Sequence, residues 1–304
     1  MPADATPPVA EPVEIEILKV LHYFKVFSWP LAAEEVWIYY RGSVAQLTIR
    51  QSLDQLVRSG KIFQFGIYYQ LSDVAEWVDM RSDYNQRADQ FMPVAKRMAK
   101  LIGSFPFIRG VFISGSLSKN AMGPTSDIDF FMITEPGRLW VARTLLVLFK
   151  RIFLLNSHKY FCINYFIDTD HLIIKERNIF TAVEMVTMLP MYDGEWYMEF
   201  RTANRWAWEM LPNFPEKTVE SVPRHQKKGI KKIVEWLLSG SLGEWLDIWA
   251  MQVTVAFWRR KFSHFDDITF EFAIRSKRYE SKHHPLQYQR QVMKVLNDVE
   301  GLVS

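Results

Sequence analysis

The stretch from Val111 to Ile133 constrains the fold of this chain more than any other. It combines an apolar strand, a Gly-Ser turn and a second apolar run with two aspartates at positions i and i+2. Successive side chains of a strand point to opposite faces, so the spacing predicts Asp127 and Asp129 on one face and Ile128 in the core. Adjacent carboxylates repel each other, and oxygen ligands of this kind suit a hard cation. The pattern therefore predicts a site for Mg²⁺ or Mn²⁺.

The turn before the aspartates, formed by Gly115 and Ser116, predicts a phosphate site. Glycine allows the backbone to approach an anion closely, and serine offers a hydroxyl and a backbone N–H at the start of a predicted helix. With a cation at the aspartates, we expect this turn to hold a triphosphate whose α-phosphate is attacked by a hydroxyl. A D-x-D triplet alone is common in turns. Its combination with the upstream Gly-Ser turn is what indicates a site.

Gly115, Ser116 and the triplet from Asp127 to Asp129 resemble the motif of the nucleotidyltransferase superfamily, which includes DNA polymerase beta and the minimal nucleotidyltransferases. In catalytic members the two motif aspartates bind the metals, the serine touches the nucleotide phosphates, and a third carboxylate on a later strand activates the acceptor hydroxyl. The resemblance therefore implies an NTP substrate, with Asp127 and Asp129 as catalytic metal ligands. The predicted order of helices and strands over residues 83–200 fits the core of that superfamily.

The third carboxylate is expected on the next predicted strand, Tyr160 to Ile167, or just after it. Asn164 is the only polar side chain deep in this strand, and its amide oxygen can bind a metal but cannot act as a general base. If the strand extends to Asp168, that carboxylate shares a face with Asn164. We therefore favour Asp168 as the third catalytic carboxylate, keep Asn164 as the competing metal ligand, and assign Asp170 to the following turn.

The residues before this core predict a separate small domain. Three helical patterns between residues 14 and 59 are followed by a hairpin signal around Gly66, an order that resembles a winged helix-turn-helix. A DNA-docking helix exposes several basic or amide side chains, and here Arg50 and Arg58 are opposed by Asp54. Contact with nucleic acid and contact with protein through this domain are therefore both open.

Together these patterns predict an α+β fold. A small mixed β-sheet of nucleotidyltransferase type is flanked by helices, preceded by the winged-helix-like domain and followed by a mainly helical C-terminal region. The predicted boundaries are a disordered tail at 1–12, the winged-helix-like domain at 13–74, the nucleotidyltransferase-like domain at 75–200 and the helical region at 201–304. The tail is rich in Pro and Ala and has neither the basic nor the apolar stretch of a signal peptide.

The composition favours a cytoplasmic protein. The single cysteine, Cys162, cannot form an intramolecular disulfide, which favours a reducing compartment. Two apolar stretches, 139–155 and 242–258, are too short and too often charged to span a bilayer. We interpret them as core helices, with an amphipathic surface anchor as the alternative, and expect no membrane partner.

Two features of the C-terminal half each allow two interpretations, one functional and one structural. Glu184 is an acid on an otherwise apolar predicted helix, which fits either a carboxylate that faces the site or charge compensation at a helix N-terminus. Basic clusters such as residues 259–261 fit either a solvated helix face or a groove for a polyanionic acceptor.

The function favoured by these patterns is Mg²⁺-dependent transfer of a nucleoside monophosphate from an NTP such as ATP to a hydroxyl acceptor. Asp127 and Asp129 hold the metal, Gly115 and Ser116 hold the phosphates, and Asp168 acts as the base. Two alternatives are a nucleotide-sensing or DNA-binding regulator whose core has lost turnover, and an antitoxin-like protein that acts through a partner. The sequence specifies neither the acceptor nor the oligomeric state.

Overall fold

The computed structural model describes residues 13–155, 159–224, 229–283 and 288–303. The predicted tail at 1–12 lies outside the described residues. These described residues form two compact units, the first drawn from 13–81, 209–215 and 289–303, and the second from 82–208 and 216–288. Within the described residues, no helix has the length and apolar character that crossing a membrane requires.

The first unit begins with three helices and a small antiparallel sheet. Its elements are α1 (Val13–Lys25), β1 (Leu31–Ala32), α2 (Ala33–Ile38), α3 (Gln46–Arg58), β2 (Phe63–Phe65) and β3 (Tyr68–Gln70). The sheet has the order β1-β3-β2. The predicted hairpin turns at Gly66, whose φ of +61° suits glycine. Buried apolar side chains such as Ile17, Ile49 and Leu53 form the core of this unit. Its assignment as a winged helix stays a prediction.

The second unit is built on a six-stranded sheet. Its first elements are α4 (Glu76–Gly103), β4 (Ile108–Ser114), α5 (Gly115–Ser118), β5 (Asp129–Thr134), α6 (Leu139–Phe153), β6 (Cys162–Asp168), α7 (Ile179–Thr187), β7 (Leu189–Tyr192), α8 (Gly194–Ala203) and α9 (Trp206–Met210). The later elements are α10 (Ile230–Leu237), α11 (Ser241–Lys261), α12 (Asp267–Ala273), β8 (Ser276–Lys277) and β9 (Glu280–Lys282). The last helix, α13 (Tyr288–Val303), groups almost entirely with the first unit.

The sheet has the order β7-β4-β5-β6-β9-β8 and is mixed. Strand β5 pairs with β4 antiparallel and with β6 parallel, because α6 carries the chain back to the starting edge between β5 and β6. The structure thus confirms an α+β fold with a small mixed sheet. Its identity as a nucleotidyltransferase core stays a prediction.

Both faces of the sheet are covered, as continuous apolar strands require. On one face Phe112 and Phe131 meet α8, where the rings of Phe112 and Tyr197 lie 5.4 Å apart and those of Phe131 and Phe200 lie 5.2 Å apart. On the other face Phe130 belongs to a core cluster that includes residues of α4 and α6. This packing fixes β4 and β5, the two strands that carry the predicted site.

Asn204 at the end of α8 is fully buried and ties a loop to that helix. Its Oδ1 accepts a hydrogen bond from the Ile174 N–H at 2.8 Å, and its Nδ2 donates to the carbonyls of Leu172 and Phe200 at 2.8 Å each. Buried backbone groups need such partners. These three hydrogen bonds therefore give Asn204 a structural role.

We expect Asn204→Leu to lower the free energy of unfolding by about 3 kcal/mol, because the Ile174 N–H and the Leu172 carbonyl lose their side-chain partner inside the protein. Asn178→Ala is the comparison, since it removes only the cap that accepts from the Thr181 N–H at the start of α7 and should cost about 1 kcal/mol. Urea unfolding measures both. Equal losses would contradict the role assigned to Asn204.

Candidate functional site

The Gly-Ser turn and the aspartates meet at one edge of the sheet. Ser114, the last residue of β4, pairs with Asp129, the first residue of β5. Gly115 follows Ser114 directly, so the antiparallel pairing brings the turn beside Asp129. Ile128 is fully buried, whereas Asp127 and Asp129 are half-buried. The alternation predicted for the D-x-D triplet is present.

Gly115 is required by its own conformation and by the space around it. Its φ is +66°, and a Cβ at this position would lie 2.3 Å from Asp129 Oδ2 and 3.1 Å from Asp129 Cγ. A side chain would therefore displace the carboxylate. The structure brings Gly115 and Asp129 into contact.

The rest of the turn is held by Lys119, which the sequence analysis did not identify. Lys119 Nζ donates to the Gly115 carbonyl at 3.0 Å and forms an ion pair with Glu184 at 2.8 Å. Ser118 Oγ donates to the same carbonyl at 2.9 Å. The Ser116 hydroxyl has only a long contact, 3.9 Å, to the sulfur of Met122. Ser116 is therefore the hydroxyl of this turn that is most available to a ligand.

Asn164 occupies the position expected for a third ligand. Its Nδ2 donates to Asp129 Oδ1 at 2.6 Å, and its Oδ1 accepts from Cys162 Sγ at 3.1 Å. The register of β5 on β6 shifts between Phe130 and Phe131, so Asn164 is the residue of β6 that has no partner in the β5 register. This irregularity places the amide next to Asp129.

Asp168 lies at the opposite end of the same strands. It pairs with Thr134, the last residue of β5, and five residues at about 3.3 Å each place it about 17 Å from Asp129. Its Oδ1 accepts from the Asp170 N–H at 3.1 Å and contacts His171 Nδ1 at 2.7 Å. The structure does not bring Asp168 to the aspartate pair. This corrects the predicted placement: β6 does extend to Asp168, but it runs parallel to β5 and away from Asp129.

Glu184 on α7 belongs to the site region. Besides its ion pair with Lys119, its negative charge raises the pKa of Asp129. Of the two readings of Glu184, the structure therefore supports the carboxylate that faces the site. Lys119 and Glu184 come from separate elements, so only the tertiary structure reveals their pairing.

The site concentrates negative charge in a poorly solvated place. The pKa of Asp129 is raised to about 7, chiefly by burial and also by the charges of Glu184 and Asp127, while the hydrogen bond with Cys162 and the charge of Lys119 oppose this. Burial and the two aspartates also raise the pKa of the Cys162 thiol. Close carboxylates in a buried site favour the binding of a cation, because a cation restores their ionised form.

A second lysine lies near Lys119. Lys217 Nζ donates to the carbonyls of Thr187 at 2.5 Å and Met188 at 2.6 Å, at the end of α7. The pKa of Lys217 is lowered to about 7, chiefly by burial and also by the charge of Lys119. Both lysines therefore fix elements that carry the site, Lys119 the turn and Lys217 the end of the helix that bears Glu184.

The donor atoms at this edge suit Mg²⁺. They are the carboxylates of Asp127 and Asp129 and the amide of Asn164, and oxygen donors are what Mg²⁺ prefers in proteins. Among the described residues, no group of three or more His, Cys, Asp or Glu side chains is arranged to hold a metal ion. The groups at this edge that could hold a cation are the two carboxylates and the amide that contacts Asp129, a set that would leave positions for water and phosphate oxygens.

Comparisons of the chain with protein-family models, with curated proteins and with solved structures found no match. The resemblance of the Gly115 and Asp127 motif to nucleotidyltransferases stays a prediction. The function is therefore argued from the geometry of the site.

Proposed function

We propose that this chain binds a nucleoside triphosphate with Mg²⁺ at the Gly115 turn and transfers the nucleoside monophosphate to a hydroxyl acceptor. The observation that carries the proposal is the contact between Gly115 and Asp129, because it places a carboxylate directly against a turn whose backbone a phosphate can approach. Asp127, from the same extended segment, supplies the second carboxylate.

Each residue has a distinct role in this proposal. Asp127 and Asp129 hold the cation. The Asn164 amide, whose nitrogen faces Asp129 in this structure, becomes a further ligand when it turns its oxygen toward the cation. Gly115 allows phosphate oxygens to approach the turn, and the Ser116 hydroxyl donates to one of them. When bound, Mg²⁺ neutralises charge on the phosphates and on the leaving pyrophosphate. Lys119 holds the turn in place through the Gly115 carbonyl.

In the reaction, the acceptor oxygen bonds to the α-phosphorus, the bond from that phosphorus to the bridging oxygen of the β-phosphate breaks, and pyrophosphate leaves. The acceptor proton passes to bulk water, because the Asn164 amide does not accept a proton at neutral pH. Phosphoryl transfer is driven mainly by positioning and electrostatic stabilisation, so it does not require a carboxylate at position 164.

Asn164 also favours a second function, nucleotide binding without turnover. A site that binds NTP and cation but lacks the third carboxylate fits a nucleotide-sensing regulator. The acceptor, contact with nucleic acid or protein through residues 13–74, and a cytoplasmic location stay predictions.

The test measures binding and turnover separately. The purified chain is mixed with each NTP in Mg²⁺ or in EDTA, and calorimetry reports nucleotide binding while a coupled assay reports pyrophosphate. Binding with pyrophosphate release, both lost in EDTA, supports transfer. Cation-dependent binding without release supports the sensing function. Absence of cation-dependent binding for every NTP would overturn both.

We expect Asn164→Asp to make stability depend on the cation. Without Mg²⁺ the variant should lose about 2 kcal/mol, because the hydrogen bond to Asp129 at 2.6 Å becomes a contact between like charges. Mg²⁺ should restore more stability to this variant than it adds to the wild type. Asn178→Asp carries the same charge change at a helix cap outside the site and should show no Mg²⁺ dependence. If the unfolding midpoint of Asn164→Asp did not change with Mg²⁺, the result would contradict a metal at this position.

A further inference from the structure

Helix α10 exposes four apolar side chains and buries two of its three charged ones. Lys231 and Glu235 are buried, at 4% and 7% exposure. The exposed side chains are those of Ile230, Ile233, Trp236 and Leu237, together with that of Lys232. An amphipathic helix of a water-soluble protein shows the opposite arrangement.

Polar contacts hold α10 in this orientation. Lys231 Nζ donates to the carbonyls of Gly103 at 2.8 Å and Ile108 at 2.9 Å. Glu235 Oε1 accepts from the Phe107 N–H at 2.7 Å and from Arg109 at 2.9 Å. Buried charges are stable only with such partners. Rotation of α10 to bury its apolar side would break these contacts.

Contacts on its inner side also fix the orientation of helix α11. They are made by the buried carboxylate of Asp247 and by Gly243, which packs against the backbone of Leu238. The Asp247 carboxylate, fully buried, accepts from the N–H groups of Trp140 at 2.8 Å and Val141 at 3.0 Å, at the start of α6. A Cβ on Gly243 would lie 1.9 Å from the Leu238 carbonyl oxygen. The inner side of α11 is therefore fixed against α6 and the preceding loop.

The outer side of α11 is an apolar stripe. Leu242, Trp245, Trp249, Val253 and Phe257 recur at intervals of three or four residues and are each between 50% and 60% exposed. Such spacing places them on one face of the 21-residue helix, which is about 31 Å long. An exposed apolar surface of this kind marks a docking site.

The charges around the stripe are mainly positive. Arg260 follows Leu242 by five helical turns, so it lies on the stripe at its C-terminal end. Arg259 lies beside it and forms an exposed ion pair with Asp267 of α12 at 3.1 Å. The exposed charged residues of the segment 229–261 are Lys232, Arg259, Arg260, Lys261 and Glu244. Glu244 lies off the stripe and pairs with Arg278 at 3.3 Å. The surface therefore combines apolar and cationic groups.

We propose that the outer sides of α10 and α11 dock on the surface of an anionic lipid bilayer. The helices lie in the plane of the interface, the apolar side chains enter the headgroup boundary, and the Arg259–Lys261 cluster contacts anionic headgroups. The three tryptophans, Trp236, Trp245 and Trp249, suit this depth, because their rings are amphipathic.

A second copy of the chain fits the stripe less well than lipid. In an antiparallel pair the Arg260 end of one helix meets the Leu242 end of the other, and in a parallel pair like charges meet. Arg259 pairs with Asp267 of the same chain, and the stripe itself carries no acid to pair with Arg260 in either arrangement, whereas anionic headgroups supply that charge.

The test is sedimentation with vesicles of phosphatidylcholine alone or mixed with phosphatidylglycerol. We expect preferential binding to the anionic vesicles. Trp249→Ser/Phe257→Ser should weaken binding by about tenfold or more, because two apolar anchors are lost. Arg259→Gln/Arg260→Gln should remove most of the preference for anionic lipid.

Matched controls lie outside this surface. Ile67→Ser, at a side chain that is 68% exposed, and Arg50→Gln/Arg58→Gln should bind vesicles as the wild type does. Binding of Trp249→Ser/Phe257→Ser at wild-type level would overturn the proposal. A second outcome would also overturn it: the wild type is a dimer by light scattering without lipid and does not bind vesicles, and the Trp249→Ser/Phe257→Ser variant is a monomer.

Discussion

Replacing Asp127 and Asp129 together by asparagine is expected to abolish cation-dependent nucleotide binding and pyrophosphate release. The amides keep the size of the side chains but remove both negative charges that hold a divalent cation. We expect pyrophosphate release to fall about a thousandfold and nucleotide affinity in Mg²⁺ about tenfold or more. A coupled pyrophosphate assay and calorimetry measure the two effects.

Loss of activity in these variants is separable from loss of structure. Since the folded chain raises the pKa of Asp129 to about 7, the ionised carboxylate is less favourable in the folded than in the unfolded chain. In EDTA the wild type should therefore lose stability as the pH rises from about 4 to about 7, and Asp129→Asn should lose less. Because Asp129 is partly exposed, we expect the variant to be more stable by about 1 kcal/mol above pH 7. Urea unfolding across this pH range checks the sign.

Asp168→Asn is the matched control, since it makes the same chemical change on β6 at the far end of the sheet. It alters the contacts of Asp168 with His171 and the Asp170 N–H, so a modest change in stability is expected. Nucleotide binding and pyrophosphate release should stay at the wild-type level. If Asp168→Asn lost as much activity as the Asp127→Asn/Asp129→Asn variant, Asp168 would belong to the site, which would contradict its position opposite Thr134 at the far end of β5.

The core of the site was predictable because it is local. The D-x-D triplet, the strand alternation that buries Ile128, and the Gly-Ser turn all lie between Val111 and Ile133, and one antiparallel pairing brings them together. The glycine was predicted for its freedom to approach a phosphate. Its contact with the Asp129 carboxylate depends on the register of β4 on β5, which the sequence does not specify.

The choice between Asn164 and Asp168 depended on strand direction. Simple alternation puts the two residues on one face of β6 and does not distinguish them, but a long helix between β5 and β6 indicates a parallel pairing. In a parallel pair the start of β6 lies beside the start of β5, where Asp129 stands. This signal was present in the sequence and favoured Asn164. The register shift that brings the amide within 2.6 Å of Asp129 was not predictable.

Other features of the structure could not be predicted because they depend on contacts between elements that are distant in the sequence. Lys119 and Glu184 meet because α5 and α7 are neighbours in the folded chain. The stretch 242–258 was interpreted as a core helix, and α11 does bury Ala250 and Trp258. Its outer stripe stays exposed because Asp247 and Gly243 determine which side faces inward. Hydrophobic periodicity alone assigns the apolar side to the core, and here buried polar contacts override it.

Gly115→Ala is expected to destabilise the chain and to disrupt the site together. The new side chain meets two costs, a positive φ that disfavours any side chain and a Cβ placed 2.3 Å from Asp129 Oδ2. The first costs about 1 kcal/mol, and displacement of the carboxylate adds about 2 kcal/mol or more. Nucleotide affinity in Mg²⁺ should fall with it, because Asp129 can no longer keep its position.

Gly137→Ala separates the two costs. Gly137 has almost the same φ, +65°, but its Cβ would meet only Arg278 Nη2, at 3.7 Å. This variant should lose about 1 kcal/mol and keep nucleotide binding. A double-mutant cycle then isolates the contact: in an Asp129→Ala background, Gly115→Ala should lose no more than Gly137→Ala does, because the carboxylate that the new Cβ would strike is gone. Additive losses in that cycle would show that Gly115 and Asp129 are not in contact, and the proposed nucleotide site would lose the geometry on which it rests.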